Sequence, residues 1–329
     1  MRFNARISFE SPSVQEEWQF KALQAQLHYL QQRSGFYHSL FKEHHINIKN
    51  IHSIHDLKFI PTTDHSDLQK HNWEFLCVES AAIKEYISTS GKFGEQAIIT
   101  LTENDLQRLA YNDHQSLICT GGKQEDVYHL MLTLDGQLMH GITFYLGIRE
   151  LGAASIRTAH LSTEMQWKRI FQLQSNTIIA TPVSIIEMID WAKKNAIDLN
   201  HTPVEKAICI GESIRQGDFD WNETGRKITS QWPINLFSTY TSTEMQTAFT
   251  ECSAGLGFHE QPDLIITEIL DDHGNPLKSG EYGEVTITTL GVEGMPLLRY
   301  RTGDICTFYD AQCSCGRRSK RLSPVSRKK

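Results

Sequence analysis

Between residues 127 and 239, five short apolar runs alternate with stretches of helical period: VYHLMLT (127–133), AASI (153–156), NTIIAT (176–181), KAICIG (206–211) and INLFST (234–239). The clearest helical stretches lie at 163–173, 183–194 and 213–228. Short apolar strands separated by helices specify βαβ units, and so an α/β fold with largely parallel sheets flanked by helices. After Thr250 the pattern changes. PDLIITEIL (262–270), GEVTITTL (283–290), PLLRYRT (296–302) and ICTFYD (305–310) read as strands, joined by turn signals at 272–276 and 279–283. The expectation is an α/β part over 1–250, a mostly β subdomain over 251–316 and a basic segment over 317–329.

Ahead of the alternation, Val14, Trp18, Leu23, Leu27 and Leu30 recur at helical spacing, and Gly35 marks the end of that helix. A second helical piece starts near Thr63. A third covers 102–118, where Thr-Glu-Asn-Asp has the form of an N-cap followed by acidic first-turn residues.

With 329 residues, 40% hydrophobic and 22% charged, the chain sits near the globular average, which excludes a largely disordered, collagen-like or coiled-coil protein. Neither a signal-peptide core nor an apolar run of the ~20 residues that span a bilayer is present, so a soluble, cytoplasmic protein without membrane contact is expected. The net charge is -7, yet the last thirteen residues, RRSKRLSPVSRKK, hold seven basic groups and no acid. The rest carries 25 basic against 39 acidic groups, which argues against a nucleic-acid partner; the basic tail reads as a solvated linker. Seven cysteines in no regular framework imply reduced thiols, with Cys77, Cys119, Cys209 and Cys306 as small core residues.

Three constellations carry chemistry. The stretch Ser88-Thr89-Ser90-Gly91-Lys92-Phe93-Gly94-Glu95-Gln96 lies between two strand-like segments, where hydroxyls, glycines and backbone N–H groups suit phosphate oxygens. It is not a Walker loop, because no Gly-Lys-Ser/Thr ending opens a helix. Tyr240-Thr241-Ser242-Thr243-Glu244 follows a strand at the carboxyl edge of a parallel sheet, the place where such folds bind ligands. Asp304, after Arg301-Thr302-Gly303, offers a bidentate acceptor for two ribose hydroxyls. Alone, the first is more often an ordinary polar turn, the second reads also as a loop with an N-cap threonine, and the third as a salt-bridged β-turn.

Taken together and in this order, the three resemble the adenylate-forming superfamily of acyl-CoA synthetases and adenylation domains, and most closely the phenylacetate-CoA ligase family. Gly211-Glu212-Ser213, the segment from Glu251-Cys252 to Gly257-Phe258-His259, Gly280-Glu281-Tyr282-Gly283-Glu284, Thr288-Thr289-Leu290 and Cys313-Ser314-Cys315-Gly316-Arg317 extend the match. The resemblance implies that Thr89, Ser90, Gly91 and Gly94 hold the β- and γ-phosphates of ATP. Gly211, Glu212 and Ser213 would flank the adenine on one face, with Tyr240 and Thr241 on the other. Thr243 would contact the α-phosphate, Glu244 would ligate Mg2+, Asp304 would bind the ribose, and Arg321 would approach the ribose or phosphate. Phe144 and Tyr145 neighbour the acyl pocket by the same resemblance, although aromatic residues on an apolar helix are more often core.

The implied reaction joins a carboxylic acid, aryl or related, to AMP and then passes the acyl group to coenzyme A. The alternatives are transfer to a carrier protein or another nucleophile, or a degenerate AMP-binding module; a homodimer is compatible with each. Lys92-Phe93 and Glu95-Gln96 replace two hydroxyl residues and a Lys-Pro pair of the family's phosphate loop, so AMP binding should suffer less than pyrophosphate handling. The family's carboxy-terminal domain, with its catalytic lysine, has no counterpart by motif. Cys252, His259, Cys313 and Cys315 make a set of three thiolates and an imidazole that suits a tetrahedral structural Zn2+, as in some relatives. Reduced surface cysteines beside a satisfied histidine are the alternative. His44, His45, His52, His55 and His65 read as surface residues.

Overall fold

In the computed structural model, which describes residues 3–89 and 96–328, helix boundaries follow local capping chemistry. α1 (Pro12–Arg33) opens with a proline in its first turn, where a missing N–H costs nothing, and α2 (Gly35–Glu43) starts at Ser34, whose hydroxyl accepts from Tyr37 N. α3 (His65–Lys70) is set by a reciprocal box between Asp64 and Asp67. β1 (Ile83–Ser88) and β2 (Ile98–Thr102) are the two strand-like segments expected on either side of residues 88–96, and they pair antiparallel. α4 (Glu103–Cys119) begins at the Thr-Glu-Asn-Asp signal: Asp105 Oδ2 accepts from Thr102 N at 2.9 Å, and Thr102 Oγ1 accepts from Asp105 N at 3.2 Å.

The alternating region then runs β3 (Val127–Leu130), α5 (Met139–Leu151), β4 (Ala154–Arg157), α6 (Thr163–Leu173), β5 (Thr177–Ala180), α7 (Pro182–Lys194), β6 (Lys206–Cys209), α8 (Glu223–Thr229) and β7 (Asn235–Ser242). β3 pairs with β4 and β5, β5 with β6 and β6 with β7, every pairing parallel. The helix expected over 213–228 is confined to its last turns. Asn222 caps α8 by accepting from Gly225 N while donating to Ser213 O, and this ties 213–222 into a closed loop.

Seven strands follow: β8 (Thr247–Glu251), β9 (Phe258–His259), β10 (Ile265–Leu270), β11 (Tyr282–Thr289), β12 (Tyr300–Tyr309), β13 (Arg321–Leu322) and β14 (Ser326–Arg327). β10, β11 and β12 form an antiparallel meander. Two strands were expected over 296–302 and 305–310, but one is found. Arg299 takes a left-handed φ of 52° and β12 starts only at Tyr300; the strand then runs through Gly303 and Asp304 by way of a register shift opposite Glu284 and Thr286. The basic tail is a further correction. Arg317, Ser319, Arg321, Leu322 and Ser323 are buried and β13 pairs with β12, so most of 317–323 is packed chain with Arg318 exposed, and continuous exposure begins at Ser326.

By compactness the chain divides into two units, and the division cuts across the boundaries expected at 250 and 316. The first gathers the chain up to Leu109, Ser242–Thr247 and the chain from His259 onward; the second is Ala110–Thr241 with Ala248–Phe258. Within the second, alternate strand residues feed two apolar clusters. Ile178, Ala207 and Leu236 join Trp167 and Trp232 in one, while Ile179, Ile208 and Phe237 join Tyr128 and Phe144 in the other. A parallel sheet covered by helices on both faces needs this double set. The first unit contains a ring cluster in which Phe36 stacks on Phe75 at 4.0 Å and Tyr37 OH accepts from Leu298 N at 2.8 Å. Among the described residues no helix is long and apolar enough to cross a membrane.

Candidate functional site

In the second unit, β6 ends at Cys209, whereas β7 continues beyond its pairing with β6. Their last paired positions are Cys209 and Ser238, and two residues on come Gly211 and Tyr240. Gly211 has φ 85°, a left-handed turn that suits glycine and swings the chain off the sheet edge. Glu212 is exposed and Ser213 half-buried, and Ser213 Oγ donates to Arg215 O at 2.8 Å. The half-buried Tyr240 ring lies 5.9 Å from Phe249 and 6.4 Å from Phe258, and Thr241 follows it, half-buried. Glu251, at the end of β8, accepts from Arg215 Nε at 2.7 Å and from Ser238 N at 3.0 Å; burial pushes its carboxyl up to about 7 against the pull of Arg215. Phe144 is enclosed in the core cluster. Tyr145 is half-buried, with the Arg157 guanidinium 5.4 Å from its ring.

In the first unit, the hairpin of β1 and β2 is closed beyond Ser88 by Thr89, whose N donates to Ala97 O at 2.9 Å and whose Oγ1 accepts from Ala97 N at 3.0 Å. Ser90, Gly91 and Gly94 lie outside the described residues. Thr243 and Glu244 sit on the turn after β7, both buried. Thr243 Oγ1 donates to Ser88 O at 3.4 Å, so the turn and the hairpin base meet. Glu244 Oε1 lies 3.8 Å from His65 Nδ1, and the two side chains are 9% and 10% exposed. His65 is therefore not the surface residue that its polar surroundings suggested; His44, His45, His52 and His55 are exposed as expected.

Asp304 is half-buried in β12, its N donating to Thr302 Oγ1 and its Oδ1 lying 3.6 Å from Arg327 Nε. Neighbouring Glu284 takes Arg301 Nε and Nη2 at 3.0 and 2.6 Å and Gly303 N at 3.1 Å. Burial raises the Glu284 carboxyl, but Arg301 and Lys328 outweigh it and hold it below the usual range. Burial, reinforced by the charges of Glu244, Asp64 and Asp304, pushes the Tyr300 phenol far up. Tyr300 and His65 thus belong to the surroundings of Glu244. Sequence reasoning gave them no role; the one available signal was the Asp64 cap, which fixes His65 at the first position of α3.

A second cluster of the first unit is His259, Cys313 and Cys315, whose ligand atoms lie within 4.8 Å of one another. Cys315 Sγ is 3.5 Å from His259 Nε2 and accepts from Arg317 Nη1 at 3.6 Å. Against burial, these two partners pull the Cys315 thiol down to about 5, while burial pushes His259 toward its neutral form. Thiolate and neutral imidazole are the ligating states. Gly316, with φ 91°, turns the chain so that its N donates to Cys313 O at 2.9 Å. Cys252 is buried in the second unit, seven residues before His259 along the chain. Arg321 donates to Ala311 O at 3.2 Å and is among the charges acting on His259. Cys77, Cys119, Cys209 and Cys306 are buried, as expected of core residues.

No protein-family model matches the chain. A phenylacetate-coenzyme A ligase of Thermus thermophilus is 27% identical over 303 residues, covering 90% of this chain and 66% of that protein. One of Escherichia coli is 26% identical over 330 residues, covering 95% and 72%. This chain is similar to the phenylacetate-coenzyme A ligases. It spans about two thirds of the length of these phenylacetate-coenzyme A ligases, 66% in the first case. A solved open conformation of 2-hydroxyisobutyryl-CoA ligase, in complex with 2-HIB-AMP and CoA, superposes with a TM-score of 0.87 at 18% identity, covering 97% of this chain and 75% of that one. At that identity the likeness is one of fold, and it agrees with the α/β class read from the strand–helix alternation.

Proposed function

We propose that the chain is the nucleotide- and acid-binding part of an AMP-forming acid–thiol ligase acting on an aryl or related carboxylic acid. The observation that carries this reading is the placement of Gly211 just past the carboxyl end of β6, and of Tyr240 in the part of β7 that runs on beyond its pairing with β6, at the sheet edge where α/β folds bind ligands. The similarity to phenylacetate-coenzyme A ligases over 90% and 95% of the chain supports the reaction class. In this reading the adenine lies against Gly211, Glu212 and Ser213 on one face and Tyr240 and Thr241 on the other, and the ribose hydroxyls bind Asp304. Thr243 donates to the α-phosphate, and Thr89 with its hairpin holds the outer phosphates. Glu244, a buried carboxylate, suits Mg2+, which would neutralise phosphate charge. Of the two aromatic residues near the acyl pocket, Tyr145 is the accessible one and Phe144 backs it from the core.

A substrate carboxylate oxygen attacks the α-phosphorus, the bond to pyrophosphate breaks, and an acyl-adenylate forms; the coenzyme A thiolate then takes the acyl carbon and AMP leaves. The protein's part is positioning and charge stabilisation. Calorimetry with AMP, and carboxylate-dependent pyrophosphate exchange over a panel of aryl acids, test the reading. Saturable AMP binding and exchange with at least one acid are expected; the absence of both overturns the reading.

The same reading assigns Cys252, His259, Cys313 and Cys315 to one structural zinc, with four protein ligands and so no open position for catalysis. Metal analysis is expected to give about one equivalent of zinc, and Cys313→Ser to release it. Protein purified without chelators and free of metal would remove this assignment.

A further inference from the structure

We infer that Glu251, with Arg215, is a positioning residue that ties together the two walls of the adenine slot; the inference rests on the assignment of adenine to the 211–213 loop and Tyr240. Glu251 is 1% exposed. Its two carboxylate oxygens serve two different elements. Oε2 accepts from Ser238 N at 3.0 Å, in β7, two residues before Tyr240. Oε1 accepts from Arg215 Nε at 2.7 Å, two residues after Ser213.

Arg215 is in turn built into the 211–213 loop. Ser213 Oγ donates to its carbonyl at 2.8 Å and accepts from its N at 3.3 Å. Its guanidinium also donates from Nη1 to Phe219 O at 2.8 Å and lies 3.6 Å from the centre of the Trp221 ring. Gly255 leaves it room, since a Cβ there would meet Nη2 at 2.6 Å. Both ends of the guanidinium are therefore fixed, one by the loop and one by the carboxylate.

A buried ion pair contributes little net stability, because desolvation offsets the attraction; what it supplies is a defined geometry. A planar carboxylate with one donor from each wall holds those walls at a set spacing. A flat base is gripped only while that spacing stays near one ring thickness. Loosening the brace should therefore relax the choice of base more than the affinity for nucleotide as such.

The test is calorimetric titration of the whole chain with AMP, IMP and GMP for the parent and for Glu251→Gln, Glu251→Ala, Arg215→Lys and Arg215→Ala, with thermal melts and zinc content measured alongside. The two alanine variants are expected to bind AMP about tenfold more weakly, the scale of a lost charged hydrogen bond, and to lose most of the AMP preference over GMP. Arg215→Lys should keep part of both, because the charge remains while the fork is lost. Folded variants with the parent's AMP-to-GMP ratio overturn the inference, whether affinity is unchanged or falls equally for all three nucleotides, which would mark a merely structural role. Should Glu251→Ala not fold, Glu251→Gln and Arg215→Lys decide by the same ratio. A parent that binds no AMP overturns the adenine assignment, and the brace with it.

Discussion

Arg108 and Asp113 lie on the same helix, α4, one in each unit, and are 1% and 3% exposed. The protein serves them differently. Arg108 Nε donates to Leu290 O at 2.8 Å, Nη1 to Gln246 O, and Nη2 to Thr247 Oγ1 and Leu264 O at 2.9 and 2.6 Å. Burial lowers it to about 10, with Asp105 and Asp263 opposing, so it stays cationic at neutral pH. Asp113 faces the Thr143 hydroxyl, and burial pushes its carboxyl up to about 7. The guanidinium, with five donors, knits together segments of the first unit, including the turn that carries Thr243 and Glu244. A short carboxylate packed against α5 cannot gather such a set, and its charge becomes optional.

Three substitutions put this contrast to the test. Arg108→Ala is the most disruptive: it strips four acceptors of their donor and two nearby carboxylates of their cation. Urea melts should show a loss of about 3–5 kcal/mol, and a near-neutral result would break the contrast. Asp113→Asn should act in the opposite direction. Because the folded-state value, about 7, lies above the unfolded one near ~3.9, the stability contributed by the protonated carboxyl is complete below about pH 4 and is lost as pH rises through 7. The asparagine variant should therefore exceed the parent by on the order of 2–4 kcal/mol at pH 8 and match it near pH 4. A difference that does not change with pH would sink the argument. Gly147→Ala is the mildest. Its Cβ would come within 2.6 Å of Asp113 Cβ and 2.9 Å of the Asp113 carbonyl carbon. An overpacking cost of about 1–3 kcal/mol in the same melts is expected, and none would mean that α5 has room to move away from Asp113.

The parallel sheet was legible because its signals are local. α6 is capped by Ser162, and α7 by Thr181 ahead of Pro182, so hydrophobic period and punctuation agree within a few residues. The candidate nucleotide residues form short motifs in the sequence; the structure puts Gly211, Thr243 and Glu244 at turns but Tyr240 inside β7 and Asp304 inside β12. β8 was not, since Thr-Ala-Phe-Thr-Glu is too short and mixed to declare itself; Thr250 and Glu251 acquire meaning only through Thr239 and Ser238. Arg108 could not be found either, because its partners stand 138 to 182 positions away and follow no spacing rule. His65 was misread for a related reason: polar neighbours in sequence say little about what covers a side chain from a distant strand.

The interleaving of the two units also sets an order for synthesis. The second unit is complete in sequence by Phe258, whereas the early helices of the first must wait for chain made much later: Asn4 N donates to Asp263, Gln19 to Ile265 O, and Leu298 N to Tyr37. Closing such distant pairs is slow, and waiting segments expose apolar surface meanwhile. On the ribosome, the segment from α1 to β2 should stay susceptible to protease until β10 to β12 emerge, long after the parallel sheet has become resistant.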